Sequence, residues 1–130
     1  MKVETVFSSE ATVPRGPYSQ AIKISNINSL VFTGTIASLD KDWNIVGAGD
    51  IEAQTRKTIE NLEQILIAAG GSLKNIVKTT WYLVNISDMP LVAKVRNEMF
   101  QGCNPASGTI PVNKLYYDEL LLEMEAIAVI

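Results

Sequence analysis

The stretch from Asp50 to Gly71, DIEAQTRKTIENLEQILIAAGG, constrains this chain more than any other, because it has a clear helical period and carries both of its own stop signals. Ile51, Thr55, Thr58, Ile59, Leu62, Ile65, Leu66 and Ala69 recur at steps of three and four, while Glu52, Arg56, Lys57, Glu60, Glu63 and Gln64 fill the opposite side. The spacing predicts one amphipathic helix with a single buried face. Asp50 can accept from the free N–H groups of the first turn, and Gly70-Gly71 supplies the left-handed conformation that ends the last one. Directly after the glycines, Leu73 to Val84 closes on IVKTTWYLV, rich in β-branched and aromatic residues and short enough for a strand. Together they predict a helix laid across a sheet.

The rest of the chain fits around that pair. Val3 to Phe7 reads as a short first strand, and Val13-Pro14-Arg15-Gly16-Pro17 as a loop, since two prolines fix φ and the glycine permits a turn. Tyr18 to Ser25 alternates as a strand, and Asn26-Ile27-Asn28 reads as a tight connection to the next, Leu30 to Ile36, which predicts an antiparallel hairpin. Ser38 to Gly49 is an irregular surface excursion in which Trp43 is expected to fold back on the body as a packing residue, like Trp81. After the strand Ile76 to Val84, Ser87 or Asp88 can cap a second helix with Pro90 in its first turn and a stripe of Leu91, Val92, Val95, Met99 and Phe100. Gly102 to Pro105 ends it. Thr109 to Val112 reads as a strand in which Pro111 signals an edge or a bulge.

The last segment, Leu120 to Ile130, alternates as a strand. It puts Leu121, Glu123, Glu125, Ile127 and Val129 on one face and Leu122, Met124, Ala126 and Ala128 on the other. Two carboxylates inside an otherwise apolar strand need a reason. The order β-β-β-α-β-α-β-β predicts one α+β domain over residues 1–130, a mixed sheet with both helices packed on one face. The other face, if apolar, must be hidden by a neighbour, which is a physical motive for oligomerisation.

Composition narrows the chemistry. Eleven basic and fourteen acidic residues give a net charge of −3 with no basic cluster, which argues against a surface that tracks nucleic-acid phosphates. There is no histidine, and Cys103 is alone, so histidine-based catalytic sets, the usual zinc sites and an intramolecular disulfide are all excluded. Acid–base work must fall to carboxylates, tyrosine, lysine, backbone or water. Cys103, with no histidine to activate it, is expected to be a half-buried thiol and not a nucleophile. The N-terminus, MKVETVFSSE, lacks the apolar core of a signal peptide, and no window approaches a membrane span, so a cytoplasmic address is the expectation.

Four stretches, taken in order, resemble one family. Gly16-Pro17-Tyr18-Ser19-Gln20-Ala21, Phe32-Thr33-Gly34, the run from Gln54-Thr55 through Asn61-Leu62 and Gly70 to Val77-Lys78-Thr79-Thr80, and Glu123-Met124-Glu125-Ala126-Ile127-Ala128 are similar to the Rid family, also called YjgF-type proteins and typified by reactive intermediate/imine deaminase. The hexapeptide GPYSQA and the terminal EMEAIA carry the likeness most sharply. The resemblance implies a chorismate-mutase-like fold and a homotrimer with clefts between subunits. There, small metabolites that are enamines or imines undergo hydrolytic deamination by water, with no metal and no organic cofactor.

Carried over residue by residue, the resemblance implies catalytic roles for Tyr18, the cleft tyrosine, and Glu123, the carboxylate that orients the attacking water. Read from the residues alone, Glu123 has the alternative of an exposed or lysine-paired strand glutamate, and Tyr18 that of a packed aromatic. Glu125 reads better as an ion-pair partner or rim residue. The family pattern Pro-Ala-Arg-Ser-Thr becomes Pro105-Ala106-Ser107-Gly108-Thr109, so Ser107 stands where an arginine would grip the substrate carboxylate. Serine cannot make that bidentate charge-assisted pair. Gly34-Thr35 stands where many members have Gly-Gln, and Ala93 and Arg96 replace an asparagine and a tyrosine. Substrate binding is then expected of Ser107, Gly108, Thr109, Gly34 and Thr35, with Arg15 or Arg96 as the substitute charge, the alternative for each arginine being a solvated surface residue. Two alternatives follow from Ser107: a trimer that binds a metabolite or partner without turnover, and a deaminase of altered substrate specificity.

Overall fold

The computed structural model describes residues 1–130, which form β1 (Lys2–Val6), β2 (Ala21–Ser25), β3 (Leu30–Phe32), β4 (Ile36–Ala37), α1 (Ile51–Ala68), β5 (Ile76–Leu83), α2 (Met89–Phe100), β6 (Ala106–Pro111) and β7 (Leu122–Val129). α1 begins and ends where its sequence says it should. The Asp50 carboxylate accepts from the Ala53 N–H at 3.0 Å, and Gly70, at φ +88°, turns the chain out of the helix.

The main sheet runs β3-β7-β5-β6, with β4 also on β7; β5 and β6 are parallel and flank α2, while β7 is antiparallel to β3, β4 and β5. Both helices lie on one face. Leu122, Met124, Ala126 and Ala128 of β7 join Trp81 and Leu83 of β5 beneath Ile59, Leu62 and Leu66 of α1, all buried. Trp81 meets Phe100 of α2 with ring centroids 6.5 Å apart, and its indole N–H donates to the Thr79 hydroxyl at 3.1 Å. An α+β fold with a mixed sheet and two helices on one face is therefore what the order of elements predicted.

Several local expectations are corrected. The β2–β3 hairpin does not form: β2 pairs with β1 as a separate ribbon, and β3 pairs with β7. Asn26 does turn the chain, at φ +57°, but the reciprocal bonds between Ser29 and Ile130, both 3.0 Å, seat β3 on the long central strand instead. A turn signal is local, and the apolar strand β7 outcompetes it. The expected strand Leu30 to Ile36 is broken into β3 and β4, because Thr33-Gly34-Thr35 opposes two residues of β7 and the Thr33 hydroxyl takes the Ala126 N–H at 2.9 Å, a bulge.

The cap of α2 differs as well. Asp88 has helical φ and ψ and makes no side-chain cap, because a 3₁₀ turn at Ile86–Asp88 runs straight into the helix, with Pro90 in the first turn. The expected strand from Thr109 begins earlier, at Ala106, and Pro111 lies on the sheet's edge strand. Alternation along β7 holds, except that Val129 is buried too, where Val3 and Ile22 of the β1–β2 ribbon line the same crevice.

Trp43 does not fold back. It is 65% exposed and sits at φ +67°, a left-handed conformation that a bulky side chain adopts at a cost. Asp40 builds this turn, its carboxylate accepting from the N–H groups of Asp42 and Asn44 at 2.8 and 2.9 Å. Trp43→Gly is expected to change the unfolding free energy by less than about 1 kcal/mol, because relief of the left-handed backbone offsets lost side-chain contact and added unfolded-state entropy. Urea denaturation of the two chains checks it.

Candidate functional site

Glu123 sits on β7 between Ala37 of β4 and Tyr82 of β5, on the sheet face away from the helices. A pocket of about 380 Å³ opens over it, with Thr35, Trp43, Tyr116, Tyr117 and Leu120 in its walls. Burial against these groups pushes the Glu123 carboxyl above the usual carboxylate range, and the Tyr116 backbone N–H partly opposes the rise. Tyr116 and Tyr117 meet edge to face at 4.9 Å, and Tyr116 is 81% exposed.

The walls are held from below by a residue whose role the sequence did not reveal. Gln54 is fully buried in α1; its amide donates to the carbonyls of Glu119 at 2.8 Å and Gly47 at 3.2 Å, and its oxygen accepts from the Leu121 N–H at 2.9 Å. One side chain thus ties the loop before β7 and the turn before α1 to the helix. The available signal was a glutamine next to Thr55, on the helix's apolar side. Asn61, one face further along, donates to the carbonyls of Ala37 and Leu39 at 3.0 and 2.8 Å and fixes β4.

Ser107, Gly108 and Thr109 lie elsewhere, on β6. Ser107 accepts from the Thr79 hydroxyl at 2.9 Å, and Thr109 donates to the Met89 sulfur at 3.4 Å. In the parallel register these two pair with Thr79 and Trp81, so their side chains share the helix-covered face, opposite to that of Glu123. The loop carrying Tyr18 comes to the same strand: Ser19 bridges Ala106, and its hydroxyl donates to the Asn104 carbonyl at 3.0 Å. The Tyr18 hydroxyl accepts from the Arg15 N–H at 3.3 Å. A cavity of about 570 Å³ between β2 and this edge touches Ser107 and Gly108.

The predicted residues therefore fall into two groups. Glu123, Gly34 and Thr35 belong to the β4–β7 edge; Tyr18, Arg15, Ser107, Gly108 and Thr109 belong to the β6 edge, with β5 between. Within one chain Tyr18 and Glu123 are not brought together. Arg96 is on the buried side of α2, 6% exposed, makes no ion pair, and burial pulls its pKa down. Glu125 accepts from the Tyr82 phenol at 2.8 Å, which raises the phenol's pKa. Cys103 is the half-buried thiol expected, its pKa raised by burial. No three histidine, cysteine or carboxylate side chains come together as a metal site would require.

Comparison with known proteins gives a consistent result. The family model described as endoribonuclease L-PSP matches residues 8–130. A RutC family protein of Pyrococcus abyssi is 40% identical over 128 residues, covering 98% of each chain. Reactive Intermediate Deaminase A, chloroplastic, of Arabidopsis thaliana is 33% identical over 128 residues, 98% of this chain and 66% of that protein. Among solved structures, the Rid-family protein YyfB of Yersinia pestis superposes over all of both chains with a TM-score of 0.85 at 26% identity.

Proposed function

The chain belongs to the Rid/YjgF family, whose model is described as endoribonuclease L-PSP, and from that premise we propose that it hydrolyses reactive imines or enamines in clefts between the subunits of a homotrimer. One observation carries the reading. The half-sites lie at opposite edges of one sheet, so a complete site needs the β4–β7 edge of one copy beside the β6 edge of the next. Such a contact is head-to-tail, and head-to-tail contacts close into a ring such as a trimer when the rotation between copies returns to its start.

In this reading Glu123 orients water toward the imine carbon and takes a proton from it; the C–O bond forms, the C–N bond breaks, and nitrogen leaves as ammonia with a carbonyl compound behind. A carboxyl whose pKa is raised by burial suits a base that must also return a proton. Tyr18 and the backbone of Ser107 to Thr109 hold the ligand from the neighbouring edge, with Gly34 and Thr35 on the Glu123 side. Arg15, in the loop of Tyr18, and Lys78, which lines the cavity beside Ser107 and Gly108, are cations on this side available to replace the missing clamp, whereas Arg96 is buried on α2. An RNA-cleaving role, which the family's description names, gains no support from a net charge of −3 and no basic track.

The test is ammonia release from imines generated in situ, carboxylate-bearing ones by an amino-acid oxidase or a threonine dehydratase and carboxylate-free ones by an amine oxidase. A rate above the buffer control with at least one of the two classes is the expected result. No rate with either class leaves a binding module without turnover, and a monomer by sedimentation removes the shared cleft.

A further inference from the structure

The walls of the Glu123 pocket do not suit an anion. Three of them are aromatic, Trp43, Tyr116 and Tyr117; the single charged group among them is Glu123, and no lysine or arginine joins it. Aromatic faces carry negative potential and attract cations, and a carboxylate beside them adds to the attraction. Trp43 strengthens the case. It stays 65% exposed and is held at φ +67°, although glycine would meet the turn's backbone demand without strain. An exposed ring kept in a costly conformation, with its side chain forming a pocket wall, points to a task outside the protein's own packing.

We propose that the Glu123 pocket binds an organic cation, with its charged nitrogen beside the Glu123 carboxylate and its apolar part against Trp43 and Tyr117. For the proposed deaminase this names the substrate class: protonated imines without a free carboxylate, carried by an apolar or aromatic group. It rests on the reading of Glu123 as the working carboxylate, and it explains why Ser107 is tolerated. A cationic substrate needs no guanidinium clamp, and an anionic one would meet the Glu123 carboxylate with no counter-charge among this chain's own walls of the pocket.

Benzyltrimethylammonium is a permanent cation with one aromatic ring, and phenylacetate and benzyl alcohol are its anionic and neutral counterparts. Trp43 is the accessible tryptophan, since Trp81 is fully buried, so fluorescence quenching reports on this pocket. The expected result is saturable binding of the cation, about tenfold tighter than benzyl alcohol, with phenylacetate weaker still. Calorimetry should show Trp43→Gly and Glu123→Gln each weakening the cation about five- to tenfold, with melting curves confirming that both variants fold. Phenylacetate binding as tightly as the cation, or unchanged affinity in Trp43→Gly, overturns the inference. The deaminase reading fails separately: saturable cation binding with no ammonia release from any imine leaves the pocket as proposed and removes turnover. Brisk turnover of 2-imino acids that the cation does not inhibit does the opposite.

Discussion

Gln54→Leu is expected to lower the unfolding free energy by about 3 kcal/mol, the largest loss of stability foreseen for any single polar residue in this chain. Gln54 is fully buried and makes three hydrogen bonds to the backbone, at Gly47, Glu119 and Leu121. Leucine fills much of the same volume, so the change isolates the polar loss. The Glu119 carbonyl and the Leu121 N–H lose their partner, each costing about 1–3 kcal/mol if it stays buried and less where the loop opens to water, while the Gly47 carbonyl keeps the Asp50 N–H. That opening is the second expected effect. The segment before β7 carries Tyr116 and Tyr117 over Glu123, so Gln54→Leu should also quicken amide exchange from Tyr116 to Leu121 and weaken ligand binding in the pocket. Chemical denaturation and hydrogen exchange check the two halves. A loss below about 1 kcal/mol with unchanged exchange would mean that the loop is held by its own contacts.

The parts of the fold that were legible are those in which a local pattern and the tertiary demand agree. α1 has its apolar stripe, its Asp50 cap and its Gly70 stop in sequence, and β7 shows its buried face by alternation, so both lie within two residues of expectation. The misplaced pieces are those decided by partners far along the chain. Asn26-Ile27-Asn28 turns as a hairpin should, yet β3 goes to β7, about a hundred residues away in sequence. A large ring such as Trp43 is usually covered, which is why the sequence predicts packing there. Its exposure follows from a left-handed backbone set by Asp40, which no hydrophobic pattern records.

For the candidate site, sequence nominates residues but says nothing of their separation. Glu123 stood out because a carboxylate interrupts an apolar strand, and the structure gives it the raised pKa that such a setting implies. The spacing of Tyr18 and Ser107 along the chain says nothing about a sheet with β4 at one edge and β6 at the other. Gln54 stayed hidden for the same reason, since its partners are the backbone groups of two loops, and a backbone group has no letter in the sequence.

Glu123→Gln is expected to lower turnover in the proposed reaction by about 10²- to 10⁴-fold while leaving the protein as stable as before or more so at neutral pH. The amide keeps the size and one acceptor oxygen for the Tyr116 N–H, but it cannot take a proton from water. Stability moves the other way because the folded protein raises the Glu123 pKa above its ordinary value of 4.5. Folded chains hold that proton more tightly than unfolded ones, so this group's contribution falls as pH rises from the ordinary glutamate range through the raised pKa. Above that window the native chain carries a partly desolvated carboxylate that glutamine lacks; below it both side chains are neutral and the two proteins should melt alike. Turnover in the native chain should rise with pH over the same window, since only the ionised form acts as base. A residue with a merely structural role would show the reverse pairing, a lower melting temperature with little change in rate. Lost rate together with a retained or raised melting temperature at neutral pH separates a group kept for chemistry from one kept for the fold.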